Sequence, residues 1–232
     1  LPLPAVQQKM IKRISETGTP IILVMVQGRP RIIREIEPLV DAVIMAYYPG
    51  QEGGRAISDV VYGKINPSGK LPYTYPMYTG NTLPYYHKNT DVRATDWSFN
   101  GFYPQYEFGH GLSYTTFEYS NFTISADTIS GTEELVVRVE VTNSGSQPGK
   151  EVVQLYIKDI VASVSPDSKK LVRFNKVDLQ VGDTKTVEFV IGKAEMSFVG
   201  ANNEWLIEEG RFQLMIGVNT KEALTKEFYY SK

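Results

Sequence analysis

A chain of 232 residues with a formal net charge of −2 is long enough for one large domain or two small ones, and it carries no global field to attract nucleic acid or an anionic membrane. Its charges are mixed throughout, and the absence of cysteine excludes a disulfide framework and any thiolate metal site. Apolar runs such as Ile21 to Val26 are far short of the roughly 20 residues that cross a bilayer. Leu1-Pro-Leu-Pro4 lacks the charged lead and apolar core of a signal peptide. An export signal removed upstream would leave no trace, so the compartment stays open, leaning slightly to the periplasm or the outside.

The first 65 residues read as alternating helix and strand. Pro4 suits a first helical position, Val6, Met10, Ile11 and Ile14 form one stripe at helical spacing, and Gly18 suits the helix end. Ile21 to Val26 is apolar on both faces, as a parallel strand covered on both sides would be. Pro30 is expected to open a second helix with Ile32, Ile33, Ile36, Leu39 and Val40 on one face. A second buried strand, Ala42 to Tyr47, precedes the turn Pro49-Gly-Gln-Glu-Gly-Gly54 and a third helix facing Ala56, Ile57, Val60 and Val61 inward. This order belongs to a doubly wound α/β sandwich. Two strands leave faces and an edge uncovered, so residues 1–76 are expected to be the C-terminal half of a larger such domain. Lys70 to Tyr75 adds an edge strand at most, because Pro72 rules out a central position.

Residues 77–116 show no sustained period and are rich in aromatic and polar residues; they read as a connecting loop with a binding or docking role. From Phe117 to Lys232 the period becomes two. Leu135, Val137, Val139 and Val141 alternate with polar or outward positions, as do Val153, Leu155 and Ile157, then Val187, Phe189 and Ile191, then Phe212, Leu214, Ile216 and Val218. Turn clusters at Asn143-Ser-Gly-Ser, Val181-Gly-Asp, Gly200-Ala-Asn-Asn and Glu209-Gly separate them. About seven short strands at this spacing indicate an immunoglobulin-like β-sandwich. The fold class is thus α/β plus all-β.

The Gly-rich turn is the sharpest local motif. Its spacing fits neither the dinucleotide nor the P-loop pattern, and an acidic residue at a helix N-terminus is favoured by the macrodipole in any protein. The alternative is that Gln51 or Glu52 lines a ligand cleft, since α/β sheets bind ligands at the C-terminal ends of their strands. Catalysis by a carboxylate pair needs two carboxyl groups held a few ångström apart, and no local pair stands out: Glu35 with Glu37 and Glu133 with Glu134 read as solvated faces, Glu208 with Glu209 as a hairpin turn. No catalytic residue is assigned within the chain. Two histidines, His87 and His110, are too few and too far apart to suggest a metal, and nothing points to a cofactor. His110 reads as fixing the domain junction; His87, Tyr86 and Trp97 are candidates for sugar contact, against the plainer reading that such rings pin a long loop. Asn121-Phe-Thr123 matches a glycosylation sequon inside a strand, and chance is its simpler explanation.

Two runs carry a family resemblance: Asn66-Pro-Ser-Gly-Lys-Leu-Pro-Tyr-Thr-Tyr-Pro76 and Tyr106-Glu-Phe-Gly-His-Gly-Leu-Ser-Tyr-Thr-Thr-Phe117. With Thr19 to Pro30, Ala46 to Gly54, Gly149 to Tyr156 and Val181 to Val187 in this order, the chain resembles glycoside hydrolase family 3 of the β-glucosidase type. The resemblance implies a fibronectin-type-III-like domain at 117–232. It also implies a (β/α)8 barrel supplying an Asp nucleophile, which nothing here resembles. In that family the acid/base Glu shortly precedes a segment that Leu1-Pro-Leu-Pro-Ala-Val-Gln7 matches, so both catalytic carboxylates are expected upstream of Leu1. The implied partners are a β-glucoside or β-xyloside, the barrel and the first half of the sandwich domain; an unpaired sheet edge also admits a homodimer. A stand-alone carbohydrate-binding or structural module is the competing reading.

Overall fold

The computed structural model describes residues 2–80, 104–217 and 223–232. These fall into two compact units. One holds 2–65, 74–80 and 104–106; the other holds 66–73, 107–217 and 223–232.

The first unit begins with α1 (Ala5–Ser15), which Pro4 immediately precedes; the chain reverses at Gly18, φ 73°. Only Ile11 of the expected stripe is buried. Val6, Met10 and Ile14 stay exposed. Strands β1 (Ile22–Met25) and β2 (Ala42–Met45) pair in parallel, Ile22 opposite Ala42 through Met25 opposite Met45. They are not covered on both faces within this unit, because Ile22 and Val26 remain exposed.

The second helix expected after Pro30 does not form. The segment is a series of turns closing in a single 3-10 turn, Glu37–Leu39. Pro38 lacks an N–H and its ring would strike the Arg34 carbonyl of a continuing helix, and the residue before a proline avoids the α region. Ile33 and Ile36 are nevertheless 1% exposed, so the apolar stripe packs without being helical. Helix α2 (Gly53–Val61) follows the Gly-rich turn, with Ile57, Val60 and Val61 half-buried but Ala56 exposed.

The edge strand expected at 70–75 is reduced to β3 (Tyr75–Pro76), which pairs antiparallel with β4 (Pro104–Tyr106). Residues 104–106 are therefore strand, inside the span that read as loop.

The second unit is a β-sandwich. Its strands are β5 (Phe117–Ile124), β6 (Thr128–Ser130), β7 (Leu135–Asn143), β8 (Gly149–Asp159), β9 (Lys170–Leu179) and β10 (Thr184–Ile191). After a one-turn helix α3 (Lys193–Met196) come a short hairpin, β11 (Phe198–Val199) and β12 (Trp205–Leu206), then β13 (Gly210–Gly217) and β14 (Ala223–Ser231). One sheet runs β10-β7-β5, the other β6-β14-β13-β8-β9. The inward residues of the alternating runs meet between the sheets. Leu135, Val137, Val139, Val141, Val153, Leu155, Ile191, Leu214 and Ile216 have no exposed surface, and full burial stabilises each by about 1.5–3 kcal/mol. Val218 lies outside the described residues.

Strand β8 is unusual in burying its outer face as well. Gln154 and Tyr156 are 3% and 1% exposed, because the segment after β4 lies across them. The Gln154 amide donates to the Gly109 carbonyl at 3.2 Å, the Tyr156 hydroxyl donates to Gln154 Oε1 at 2.7 Å, and the Phe108 ring meets Tyr156 edge-on at 6.3 Å.

Candidate functional site

In the first unit the loops leaving β1 and β2 emerge from the C-terminal edge of a parallel pair, where α/β folds bind ligands. Tyr47 adopts φ 52° and Gly50 φ 71°. A bulky residue in the left-handed region is rare and costs on the order of 1–3 kcal/mol; such strain gathers at functional positions. The Tyr48 ring lies against Gly28, where any Cβ would collide with it. The two loops are therefore in close contact, and a larger residue at position 28 would have to displace the exposed Tyr48 ring. Glu52 occupies the N-cap of α2 but makes no capping bond with its side chain, and Gln51 and Glu52 are both exposed. Glu52 thus serves no helix-capping bond, and both side chains stand in solvent.

Beneath the β1 loop lies a fixed tyrosine pair. Tyr75 is wholly buried; its hydroxyl donates to the Arg31 carbonyl at 2.5 Å, and the Gln27 amide donates to that hydroxyl at 3.4 Å. Tyr106 packs edge-on at 5.8 Å, and its hydroxyl donates to Glu37 Oε1 at 3.1 Å. Burial first, then the Glu37 charge, holds the Tyr106 phenol well above its ordinary range, and burial does the same for Tyr75. Both stay neutral donors: Tyr75 fastens the Gln27–Arg31 segment and Tyr106 fastens the turn at Glu37. The sequence reading missed this pair; the available signal was an aromatic residue at alternate positions of a short strand.

In the second unit the two long motifs meet each other. The Leu71 N–H donates to the His110 carbonyl and the Gly109 N–H to the Leu71 carbonyl, each at 2.8 Å. Gly111 passes so close to the Gly69 carbonyl that no Cβ fits. Asn66 secures the far end: its Oδ1 accepts from the Ser113 hydroxyl and the Tyr114 N–H, each at 2.8 Å, and its Nδ2 donates to the Pro148 carbonyl at 3.1 Å. Lys70 donates to the Gly111 carbonyl at 2.9 Å and pairs with Glu151 at 3.3 Å. These residues are structural; they bind the 66–73 segment to the sandwich.

Tyr86, His87 and Trp97 lie outside the described residues. His110 is half-buried, and its backbone is what the motif ladder uses. Among the described residues no group of His, Asp and Glu could hold a metal, and no helix is long and apolar enough to cross a membrane. The sequon residue Asn121 sits at a bulge in β5, φ 51°, and its amide donates to Glu140 at 2.7 Å.

An α/β unit with a parallel strand pair, followed in sequence by a β-sandwich unit, defines a two-module chain, and comparison with known proteins places both modules. Residues 1–114 match the glycosyl hydrolase family 3 C-terminal domain, and residues 151–220 match the fibronectin type III-like domain. The chain belongs to glycoside hydrolase family 3 and carries these two modules of it. It is similar to a lysosomal beta glucosidase of Dictyostelium discoideum, 39% identical over 220 residues, covering 90% of this chain and 26% of that protein. It is also similar to a beta-xylosidase of Formosa agariphila, 34% identical over 224 residues, covering 95% of this chain and 31% of that one. The crystal structure of a beta-glucosidase from Listeria innocua in complex with glucose superposes with a TM-score of 0.93 at 31% identity, over 100% of this chain and 34% of that one. The chain therefore spans between a quarter and about a third of the length of these relatives.

Proposed function

We propose that these 232 residues are the non-catalytic C-terminal portion of a retaining β-glucosidase, which releases terminal β-D-glucosyl residues. Both catalytic carboxylates belong to parts of the protein outside this chain. The observation that carries this reading is the likeness over nearly the whole chain to enzymes named beta-glucosidases, of which it spans only a fraction. The β1 and β2 loops, with Tyr47 strained and Gln51 and Glu52 exposed, form one wall of the sugar cleft. Tyr86, His87 and Trp97 are further candidates for sugar contact on their residue types alone. The barrel and the first half of the sandwich domain cover the exposed faces of α1, β1 and β2.

A β-xylosidase parent is the second reading, supported by the Formosa agariphila relative. The test compares hydrolysis of chromogenic aryl β-glucoside and β-xyloside by this chain alone and by the longer polypeptide. The expected outcome is a silent fragment and an active longer protein with higher kcat/KM on the glucoside. Turnover by the fragment would refute the scaffold role, and a preference for the xyloside would select the second reading. In the longer enzyme, Glu52→Gln and Trp97→Ala are expected to raise KM more than they lower kcat, because they remove binding rather than chemistry.

A further inference from the structure

The sandwich unit contains a cavity of about 280 Å³ between the β8–β9 connection and the β11–β12 hairpin. Its floor is apolar and buried: Ile157, Met196 and Phe212 are 4%, 3% and 1% exposed. Its walls are polar, and two of the groups on them, Asp159 and Lys170, have unused hydrogen-bonding capacity.

Asp159 accepts one bond, from the Val161 N–H at 3.2 Å, through Oδ1. Its Oδ2 is buried with no hydrogen-bond partner. Buried polar atoms are almost always paired, so this one asks for a donor. Burial first, then the nearby Glu208 charge, outweighs the Val161 bond and pushes the Asp159 carboxyl up to about 6. Lys170 donates to the Ser197 carbonyl at 3.2 Å and has three protons to give. Asp159 and Lys170 make no ion pair with each other. Glu195, by contrast, is committed: it pairs with Arg173 at 2.7 Å and accepts from the Gly192 N–H at 2.8 Å. On the rim Trp205 leaves 72% of its surface in solvent, so its ring contributes little to the hairpin that carries it.

These features narrow the ligand. An anion would meet the Asp159 carboxylate, and a simple cation would meet the Lys170 ammonium. A neutral polyhydroxyl ring satisfies both, since its O–H groups donate to the carboxylate and its oxygens accept from the ammonium. Its flat C–H face stacks on an indole. The volume lies just below the range of about 300–1,000 Å³ usual for ligand pockets, which suits one ring and not a chain. We infer that this cavity binds a single pyranose unit, with Trp205 as its stacking platform and Asp159 and Lys170 as its hydrogen-bonding groups. The ligand class comes from the cavity itself, and binding is measured without hydrolysis, so this inference and the hydrolase reading fail separately.

The test is nuclear magnetic resonance of the ¹⁵N-labelled 232-residue chain, following the two indole signals, with Trp205→Phe used to assign them. Titration with methyl β-D-glucopyranoside and methyl β-D-xylopyranoside is expected to shift the Trp205 signal saturably in the millimolar range. Trp205→Ala and Asp159→Ala are expected to weaken binding, read from the neighbouring backbone amides, by about tenfold or more. Phe174→Ala, which removes an exposed ring elsewhere on β9, should leave it unchanged. Asp159→Asn keeps shape and one acceptor, and should give an intermediate loss if the alanine variant unfolds. The proposal is overturned by no shift with either glycoside, by a shift confined to Trp97, or by binding indifferent to Asp159. It is also overturned if leucine, whose two charges could match Asp159 and Lys170, binds where the glycosides do not.

Discussion

Lys70 holds its ammonium 3.3 Å from Glu151 Oε2, with 10% and 2% of the two side chains exposed. The other carboxylate oxygen accepts from the Tyr119 hydroxyl at 3.0 Å. Desolvation still raises the Glu151 carboxyl above its ordinary range, though the Lys70 charge and the Tyr119 bond oppose it. A buried ion pair of this kind adds little stability of its own, but removing one partner strands the other.

Lys70→Met is therefore expected to cost about 3–5 kcal/mol in urea unfolding at pH 7, because the Glu151 charge is left buried and unpaired. Lys70→Met combined with Glu151→Leu should recover much of that loss. If the double variant is no more stable than the single one, the cost arises from the methionine side chain and not from the stranded carboxylate.

Two glycines separate strain from crowding. Gly182 and Gly109 both have φ 81°, but a Cβ at Gly182 meets nothing within 4 Å, while at Gly109 it would sit 2.6 Å from the Tyr156 hydroxyl and against Gln154. Gly182→Ala should cost about 1–2 kcal/mol, the left-handed penalty alone. Gly109→Ala should cost about 1–3 kcal/mol more from overpacking. Equal losses in thermal unfolding would mean that the segment over β8 yields freely.

Sandwich strands were legible wherever one face was apolar. In β7, β10 and β13 the buried residues recur every second position, as alternation demands, whereas β8 buries both faces from Val153 to Ile157. Strand β9 was not legible, because at the sheet edge it buries only Leu179 fully and its sequence carries no period. Strand β14 lies inside the sheet but buries only Phe228 and Tyr230 fully, near its end, which is too short a run to show a period. The Ile32–Val40 stripe misled, since apolar spacing cannot register what Pro38 forbids. At the candidate site, the Gly-rich turn was visible as a motif, but the cavity beside Trp205 was not. Its groups come from β8, β9 and the β11–β12 hairpin, which only the folded sandwich brings together.

The Asp159 carboxyl, raised from 3.8 to about 6, has a definite sign. Between those values the folded chain keeps a proton that the unfolded chain has released, so stability falls as pH rises through the window. Glu208 adds to this, while Lys170, Asp167 and Glu195 line the same cavity. The full shift would be worth about 3 kcal/mol, which solvent around the half-buried side chain screens to about 1 kcal/mol. Asp159→Asn is expected to raise the Tm by a few degrees at pH 7 and not at pH 3.5. A gain of the same size at both pH values would assign it to packing instead.

On α1 the burial is lopsided. Ile11 is 4% exposed, whereas Val6 and Met10 are 74% and 56% exposed. Ile11→Ala should cost about 2–4 kcal/mol in this chain, while Val6→Ser with Met10→Ser should stay within about 0.5 kcal/mol, as surface changes do. The proposed covering of α1 in the longer enzyme makes a different demand. There the same pair of substitutions removes apolar contacts worth about 1.5–3 kcal/mol per buried side chain, and should lower the melting temperature of the longer protein while leaving this chain untouched. Equal indifference in both contexts would show that nothing packs on that face. An equal loss in both would show that Val6 and Met10 already support this chain.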